Sequence, residues 1–177
     1  MHLTPEAKRT FYLSIVQSTL DYASNAYLHC LSATLFNKIV TVSHIAMKKV
    51  FGFDRMMSTE IVLRKYHLYS FEQRTNLKLY VFVYRCLTPH LASPLLQSLF
   101  QLRAAVPGHQ ARTRGQAQRA LVLPPVSTQY GMRSISFLAA DRWNALPTDC
   151  RQAPSLTLYV NMAQIHLGFP VKQQRLL

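Results

Sequence analysis

The chain has 177 residues, of which 49% are hydrophobic and 15% are charged. This length corresponds to one domain with a substantial core. The high hydrophobic and low charged fractions exclude disorder over most of the length. The 20 Lys and Arg against 7 Asp and Glu give a net charge of +13, which favours nucleic acid or an anionic membrane surface as a partner, although a solvated basic surface or a fragment lacking its acidic complement would have the same composition. No two acidic residues are adjacent or one residue apart, so no local motif clusters the carboxylates that a two-metal polymerase or nuclease requires.

The N-terminal segment has the pattern of an amphipathic helix. Thr4 offers an N-cap hydroxyl, Pro5 needs no amide partner in the first turn, and Glu6 suits the positive end of the helix dipole. Apolar residues then recur at steps of three and four, which predicts one buried stripe. The stripe consists of Tyr12, Ile15, Val16, Leu20 and Ala23.

A second helix is predicted over about 33–51, with Gly52 as its C-cap. Lys38 and Lys49 lie three turns apart, so they share one face of this helix. The apolar residues define another face, which we expect to be buried. It consists of Leu35, Ile39, Val42, Ala46 and Val50.

Three further helices are predicted before residue 101. Two of them cover about 59–66 and 89–100. Between these, Ser70 and Gln73 match a capping box that opens a helix over about 70–87. That helix is apolar nearly all round, which indicates that it is buried.

The helix over 70–87 also carries a basic ridge. Arg74, Lys78 and Arg85 fall within about 40° of one another when drawn at 100° per residue. Such a ridge suits contact with phosphates, so these three are candidate nucleic-acid-binding residues. The alternative is that their aliphatic stems cover the edge of the core while the charges reach water.

Residues 101–133 differ in character, since they hold three of the five glycines and three of the nine prolines and show no helical period. This composition predicts a long basic loop or linker, with a short strand at 121–123. Its residues Arg112, Arg114 and Arg119 are further candidate nucleic-acid contacts. No acid lies between Glu72 and Asp141, whereas eight basic residues do: Arg74, Lys78, Arg85, Arg103, Arg112, Arg114, Arg119 and Arg133.

Two helices are predicted after the loop, over about 134–146 and 154–167. Trp143 and Tyr130 could stack on bases, although a Trp on an apolar helical face is more often part of the core.

The predicted fold is therefore mainly α. A bundle of about five helices over 1–100 precedes the basic Gly/Pro-containing loop over 101–133, and two C-terminal helices follow in 134–177.

The cysteines give no metal site, cofactor or disulfide framework. Cys30, Cys86 and Cys150 lie far apart, and His29-Cys30 is the one close pair of soft ligands. This pattern is typical of buried reduced thiols in an intracellular protein. Neither a secretory start nor an apolar run long enough for a membrane span occurs, so we expect no secretion and no membrane insertion. Enzyme sites at His29-Cys30 or Asp149-Cys150 are disfavoured, because adjacent side chains on a helix point in different directions.

Short motifs along the chain, taken in order, provide a resemblance. The N-terminal ones are Thr19-Leu20-Asp21-Tyr22-Ala23-Ser24 and Met47-Lys48-Lys49-Val50-Phe51-Gly52. The later ones are Arg112-Thr113-Arg114, Leu121-Val122-Leu123-Pro124, Thr128-x-Tyr130-Gly131, Ser134-x-Ser136-Phe137 and Trp143-Asn144-Ala145-Leu146-Pro147. In this order they resemble the region after the palm in reverse transcriptases of LINE-type (non-LTR) retrotransposons. The likeness covers about residues 3–167, and Trp-Asn-x-Leu-Pro is its most specific motif. One position differs: Tyr27 stands where the family is expected to have a Trp.

The resemblance implies a thumb-like and post-thumb region that lacks both catalytic parts of such an enzyme. The family's palm binds magnesium through a Tyr/Phe-x-Asp-Asp turn and a further Asp, and a separate endonuclease domain cuts DNA. No Asp-Asp occurs in this sequence. The resemblance thus implies no catalysis, no metal and no cofactor. It implies sequence-independent binding of the RNA or DNA backbone, in the cytoplasm or nucleus.

A function from another class is the alternative. The chain would then be a small interaction protein that binds a protein partner through an exposed apolar surface, or an expressed retroelement remnant with no retained activity.

Overall fold

The protein is mainly α, as predicted. An isolated antiparallel bridge between Leu102 and Leu121 is the one β feature within the described residues. No helix among those residues combines the length and the apolar character needed to cross a membrane. The computed structural model describes residues 3–22, 24–27, 31–103 and 119–168, with the side chains of Asn25 and Ala26 excepted.

Eleven α-helical segments are formed by the described residues. The first six, with one π-helical turn among them, are α1 (Pro5–Phe11), the π-turn (Tyr12–Gln17), α2 (Ser18–Asp21), α3 (Ser24–Tyr27), α4 (Ala33–Phe51), α5 (Thr59–Lys65) and α6 (Phe71–Leu87). The remaining five are α7 (Pro94–Gln97), α8 (Gln129–Met132), α9 (Ile135–Ala145), α10 (Thr148–Arg151) and α11 (Leu156–His166).

The chain forms two compact units, residues 1–75 and 76–177. The division falls within α6, a different position from the predicted boundaries after residues 100 and 133.

The first helical segment begins where predicted, but it does not bury the whole predicted stripe. Thr4 Oγ1 accepts a hydrogen bond from the amide of Ala7 at 3.2 Å. The π-turn that follows α1 has wider hydrogen bonding than an α-helix and shifts the phase of the residues after it. Tyr12 is buried, whereas Ile15 is exposed. The stripe prediction is therefore wrong at Ile15, and Ala23 lies outside the described residues.

α4 has the predicted bounds because both of its ends carry strong local signals. At the N-terminus, Ser32 Oγ accepts a hydrogen bond from the amide of Leu35 at 3.3 Å. At the C-terminus, Gly52 adopts the left-handed conformation with φ +76°, which an L side chain rarely takes.

The buried face of α4 is the predicted one only in part, since Val50 packs against the core as expected. Ser43, Met47 and Phe51 are buried, whereas Leu35 and Val42 are exposed. The sequence of α4 contains two apolar stripes, so periodicity alone does not choose between them. The stripe that contains Met47 and Phe51 faces the core of this unit.

An aromatic cluster forms the core of residues 1–75. Tyr12, Met47, Phe51, Val62 and Leu68 are buried in it. The rings of Tyr12 and Phe51 lie 5.7 Å apart at a tilt. This core joins the π-turn, α4 and α5, and burial of its apolar side chains stabilises the unit.

α6 starts at the predicted capping box. The amide of Gln73 donates to Ser70 Oγ at 3.1 Å, and the amide of Ser70 donates to Gln73 Oε1 at 3.0 Å. This reciprocal pair satisfies two amides that have no partner inside the helix.

Residues 76–177 have a second core, centred on two aromatic residues. Trp143 and Tyr159 are fully buried, with ring centroids 5.6 Å apart, and Tyr84 stacks on Tyr159 at 4.5 Å. The hydroxyl of Tyr159 donates to the carbonyl of Tyr80 at 3.2 Å. Burial raises the pKa of Tyr159, so the phenol stays protonated and donates throughout the physiological range.

The segment between the predicted helical regions is partly structured. Ala120 and Leu121 are buried, and the predicted strand at 121–123 is reduced to the Leu121 bridge. The predicted helix over 89–100 shrinks to the single turn α7. After the loop there are three helical segments rather than the two predicted, because the short α10 lies between α9 and α11.

Candidate nucleic-acid interface

Arg74 is not an exposed phosphate contact, and the ridge prediction is wrong for this residue. Its side chain is 6% exposed. Its Nη2 donates to Asp21 Oδ1 at 3.1 Å, and its Nη1 donates to the carbonyl of Tyr69 at 2.8 Å. The charge of Arg74 is thus used inside the fold, and no local pattern in the sequence indicates its partner.

The other two residues of the basic ridge differ from Arg74. Lys78 is half-buried and Arg85 is exposed in the last turn of α6. A cation at that position is favoured by the partial negative charge of the helix C-terminus. Arg85 therefore keeps its charge at the protein surface, where a polyanion can reach it.

The three candidates of the loop fall into two groups. Arg112 and Arg114 lie outside the described residues. Arg119 is described and half-buried, with a backbone φ of +49° that non-glycine residues seldom adopt. Its carbonyl accepts a hydrogen bond from Trp143 Nε1 at 2.8 Å, which fixes its backbone to the core.

Asn144, next to Trp143, fixes the neighbouring backbone in the same way. Asn144 Oδ1 accepts from the amide of Leu121 at 2.8 Å, and its Nδ2 donates to the carbonyl of Leu121 at 3.0 Å. The Trp143-Asn144 pair is thus a clamp on residues 119–121. Trp143 belongs to the core, so a base cannot stack on its ring. Tyr130 is 83% exposed, so its ring is accessible.

Two arginines that were not among the predicted nucleic-acid contacts, Arg103 and Arg151, join Arg119. Arg103 Nε donates to the carbonyl of Leu121 at 3.1 Å. Arg119 Nη1 donates to the carbonyl of Arg151 at 3.4 Å. We call Arg103, Arg119 and Arg151 the arginine cluster.

Arg151 is the least exposed member of the arginine cluster. It ends α10, is 6% exposed, and its Nε is buried with no hydrogen-bond partner among the described residues. Burial, and secondly the positive charge of Arg103, lower the pKa of the Arg151 guanidinium. Guanidinium remains charged in proteins even so. Only the fold reveals this residue, because nothing in the sequence around Asp149 distinguishes it.

Metal-ligating and thiol side chains are the remaining groups of chemical interest among the described residues. No group of three or more His, Cys, Asp or Glu there could hold a metal ion. Cys86 and Cys150 are buried free thiols, and burial raises the pKa of Cys150 to about 11. A thiol with so high a pKa is a poor nucleophile at neutral pH.

Comparison of the chain with protein-family models, with curated proteins and with solved structures finds no match. The function of the chain is therefore inferred from the geometry of the site and from the sequence motifs.

Proposed function

We propose that this chain binds RNA or DNA through the phosphate backbone without reading base sequence. We also propose that it is a non-catalytic relative of the thumb-like and post-thumb region of LINE-type reverse transcriptases. The observation that carries the proposal is the separation of charge: eight basic residues and no acid lie between Glu72 and Asp141. Binding to the phosphate backbone of RNA or DNA requires a positively charged surface. Its favourable free energy comes largely from the counterions that are released when Lys and Arg contact phosphates.

The ion pairs of the fold neutralise one of these eight basic residues, Arg74, which pairs with Asp21. Two ion pairs occur among the described residues, Glu60–Arg64 and Asp21–Arg74, and neither involves an arginine of residues 76–177. Arg85 and Arg103 are exposed there. These arginines remain available to an external polyanion, and Tyr130 supplies an exposed ring for stacking on a base.

We propose no enzymatic activity for the chain. The motifs that resemble the reverse-transcriptase family are those of its non-catalytic part, and the 177 residues contain no Asp-Asp. The resemblance places such a protein in the cytoplasm or nucleus, where RNA and DNA of a retroelement occur.

Fluorescence anisotropy with labelled single-stranded RNA, single-stranded DNA and a hybrid duplex, at several salt concentrations, tests this function. We expect binding that weakens steeply with salt. The double variant R85E/R103E should reduce the slope of log K against log salt by about one unit per lost contact. R55E, a matched reversal at an exposed arginine of the other unit, should lower affinity much less. Absence of binding, or equal effects of the two variants, contradicts the proposal.

A second candidate function has an observation of its own. Leu35, Val42 and Ile45 are exposed on α4, and the exposed Lys38 and Lys49 lie between Val42 and Ile45 around the circumference of the helix. α4 contains no acidic residue. A stripe of apolar and basic side chains is complementary to an amphipathic helix with acidic flanks, which would make this chain an interaction protein.

Titration with a synthetic acidic amphipathic peptide distinguishes this candidate from nucleic-acid binding. V42D should abolish peptide binding and leave oligonucleotide binding intact. If neither peptide nor oligonucleotide binds to the folded protein, the remnant without retained activity is the better description.

A further inference from the structure

The buried guanidinium of Arg151 forms no ion pair with any described residue. All seven Asp and Glu lie in the described residues, and the two ion pairs formed there use other arginines. Asp149 is near in sequence but exposed and forms no ion pair in the described structure. A charge removed from water without a partner is strongly unfavourable, so an anion that pairs with Arg151 stabilises the folded state.

Arg103 lies close enough to Arg151 that its positive charge adds to the effect of burial and lowers the pKa of the Arg151 guanidinium. Arg119 reaches the Arg151 carbonyl with one Nη1 proton, and Arg103 reaches the Leu121 carbonyl with its Nε proton. A guanidinium has five N–H donors, so both residues have further donors to offer. The backbone contacts hold these side chains in place before any ligand arrives, which reduces the entropy lost on binding.

We propose that Arg103, Arg119 and Arg151 form a binding site for a single phosphate group. The ligand is a phosphodiester of a nucleic-acid backbone or inorganic phosphate, and for the phosphodiester the proposal rests on the proposed function. A phosphate offers several acceptor oxygens, and Arg pairs with it through parallel hydrogen bonds. A carboxylate has two oxygens and one charge, and it satisfies three guanidiniums less well.

Thermal unfolding with increasing inorganic phosphate, against acetate at the same ionic strength, tests the site. We expect a saturable rise of Tm in phosphate, because a ligand that binds only the folded state stabilises it. In the variant R151M the side chain keeps its length but loses its charge. We expect its Tm without phosphate to equal or exceed that of the unmodified chain, and the response to phosphate to disappear. A merely structural Arg151 would instead give a lower Tm and an unchanged response.

If R151M does not fold, substitutions at the exposed Arg103 and the half-buried Arg119 still test the site. R103Q and R119Q should each weaken phosphate binding in calorimetry by about tenfold or more, since each removes a charged donor. R55Q removes an exposed arginine outside the cluster and should bind phosphate as the unmodified chain does. A phosphate response equal to that in acetate, or one that persists in all three cluster variants, overturns the site.

Labelled oligo(dT) separates failure of this site from failure of the proposed function. If phosphate binds and the oligonucleotide does not, the site is correct for free phosphate and the proposed function is wrong. If the oligonucleotide binds equally to the unmodified chain and to the cluster variants, nucleic-acid binding stands and this site is wrong. Loss of both in the same variants supports both proposals.

Discussion

Arg74 and Asp21, 53 residues apart in the chain, form a buried ion pair with Nη2 of the arginine 3.1 Å from Oδ1 of the aspartate. Nε of Arg74 also lies 3.3 and 3.2 Å from the two carboxylate oxygens. The pair fixes the residues after the π-turn to the start of α6. Arg74, which helical spacing predicted as a phosphate contact, therefore stabilises the fold of residues 1–75 instead.

Removing one partner of this pair should be strongly destabilising. R74Q leaves the Asp21 carboxylate buried without its counter-ion, so we expect the free energy of unfolding to fall by about 3–5 kcal/mol. R64Q breaks the exposed Arg64–Glu60 pair and should cost about 0.3–0.5 kcal/mol. Urea unfolding of both variants measures the difference. A similar loss of unfolding free energy in R74Q and R64Q would show that the Asp21–Arg74 pair stabilises the fold no more than an exposed pair does.

The hydrogen bond from Trp143 to Arg119 can be measured separately from the packing of the indole. W143F keeps most of the apolar volume but leaves the buried carbonyl of Arg119 without its 2.8 Å donor. We expect a loss of about 1–3 kcal/mol in W143F, and about 3–5 kcal/mol in W143A, which also creates a cavity. Y130A, at an exposed ring, should change stability by less than about 0.5 kcal/mol. An unchanged stability of W143F in chemical denaturation would rule out a contribution from the hydrogen bond.

His44 should make stability depend on pH. Burial, together with the positive charges of Lys48 and Arg74, lowers the pKa of His44 below 6.5, and Glu72 opposes this. The unfolded chain therefore binds the proton more tightly than the folded one, so stability is complete above pH 6.5 and decreases as the pH falls through that value.

The variant H44Q isolates this contribution. Between about pH 7.5 and about pH 5.5, its free energy of unfolding should fall less than that of the unmodified chain. H166Q, which removes an exposed histidine, serves as the control. Parallel pH profiles for H44Q and the unmodified chain would contradict the assignment.

The buried thiols should resist modification in the native state. Burial raises the pKa of Cys86, and that of Cys150 to about 11, so little thiolate exists at pH 8. In a C30S background, we expect Ellman's reagent to label neither cysteine until the protein is unfolded in guanidinium, when both react. Rapid labelling without denaturant would show that the core of residues 76–177 opens readily.

The helix bounds could be predicted from the sequence where the signals are local. Ser32 and Gly52 mark the ends of α4, and Ser70 with Gln73 marks the start of α6, because caps act within one turn of the helix. The buried face of α4 could not be predicted, since both of its stripes are apolar and tertiary packing chooses between them.

The candidate site was less accessible to prediction than the fold. Helical spacing grouped Arg74 with Lys78 and Arg85, but burial separates Arg74 from Arg85. Arg151 became a candidate only through its burial and its unsatisfied Nε, which depend on contacts between distant residues. Spacing reports which side chains share a helix face, and it does not report what covers that face.

The bridge between Leu102 and Leu121 has a consequence for sequence divergence. Backbone hydrogen bonds from Arg103 N to Ala120 O and from Val122 N to Gln101 O join the two ends of the intervening segment, residues 104–118. These hydrogen bonds, and the clamp formed by Trp143 and Asn144, involve no residue of 104–118. Substitutions that change the number of arginines within 104–118 therefore remove none of these contacts.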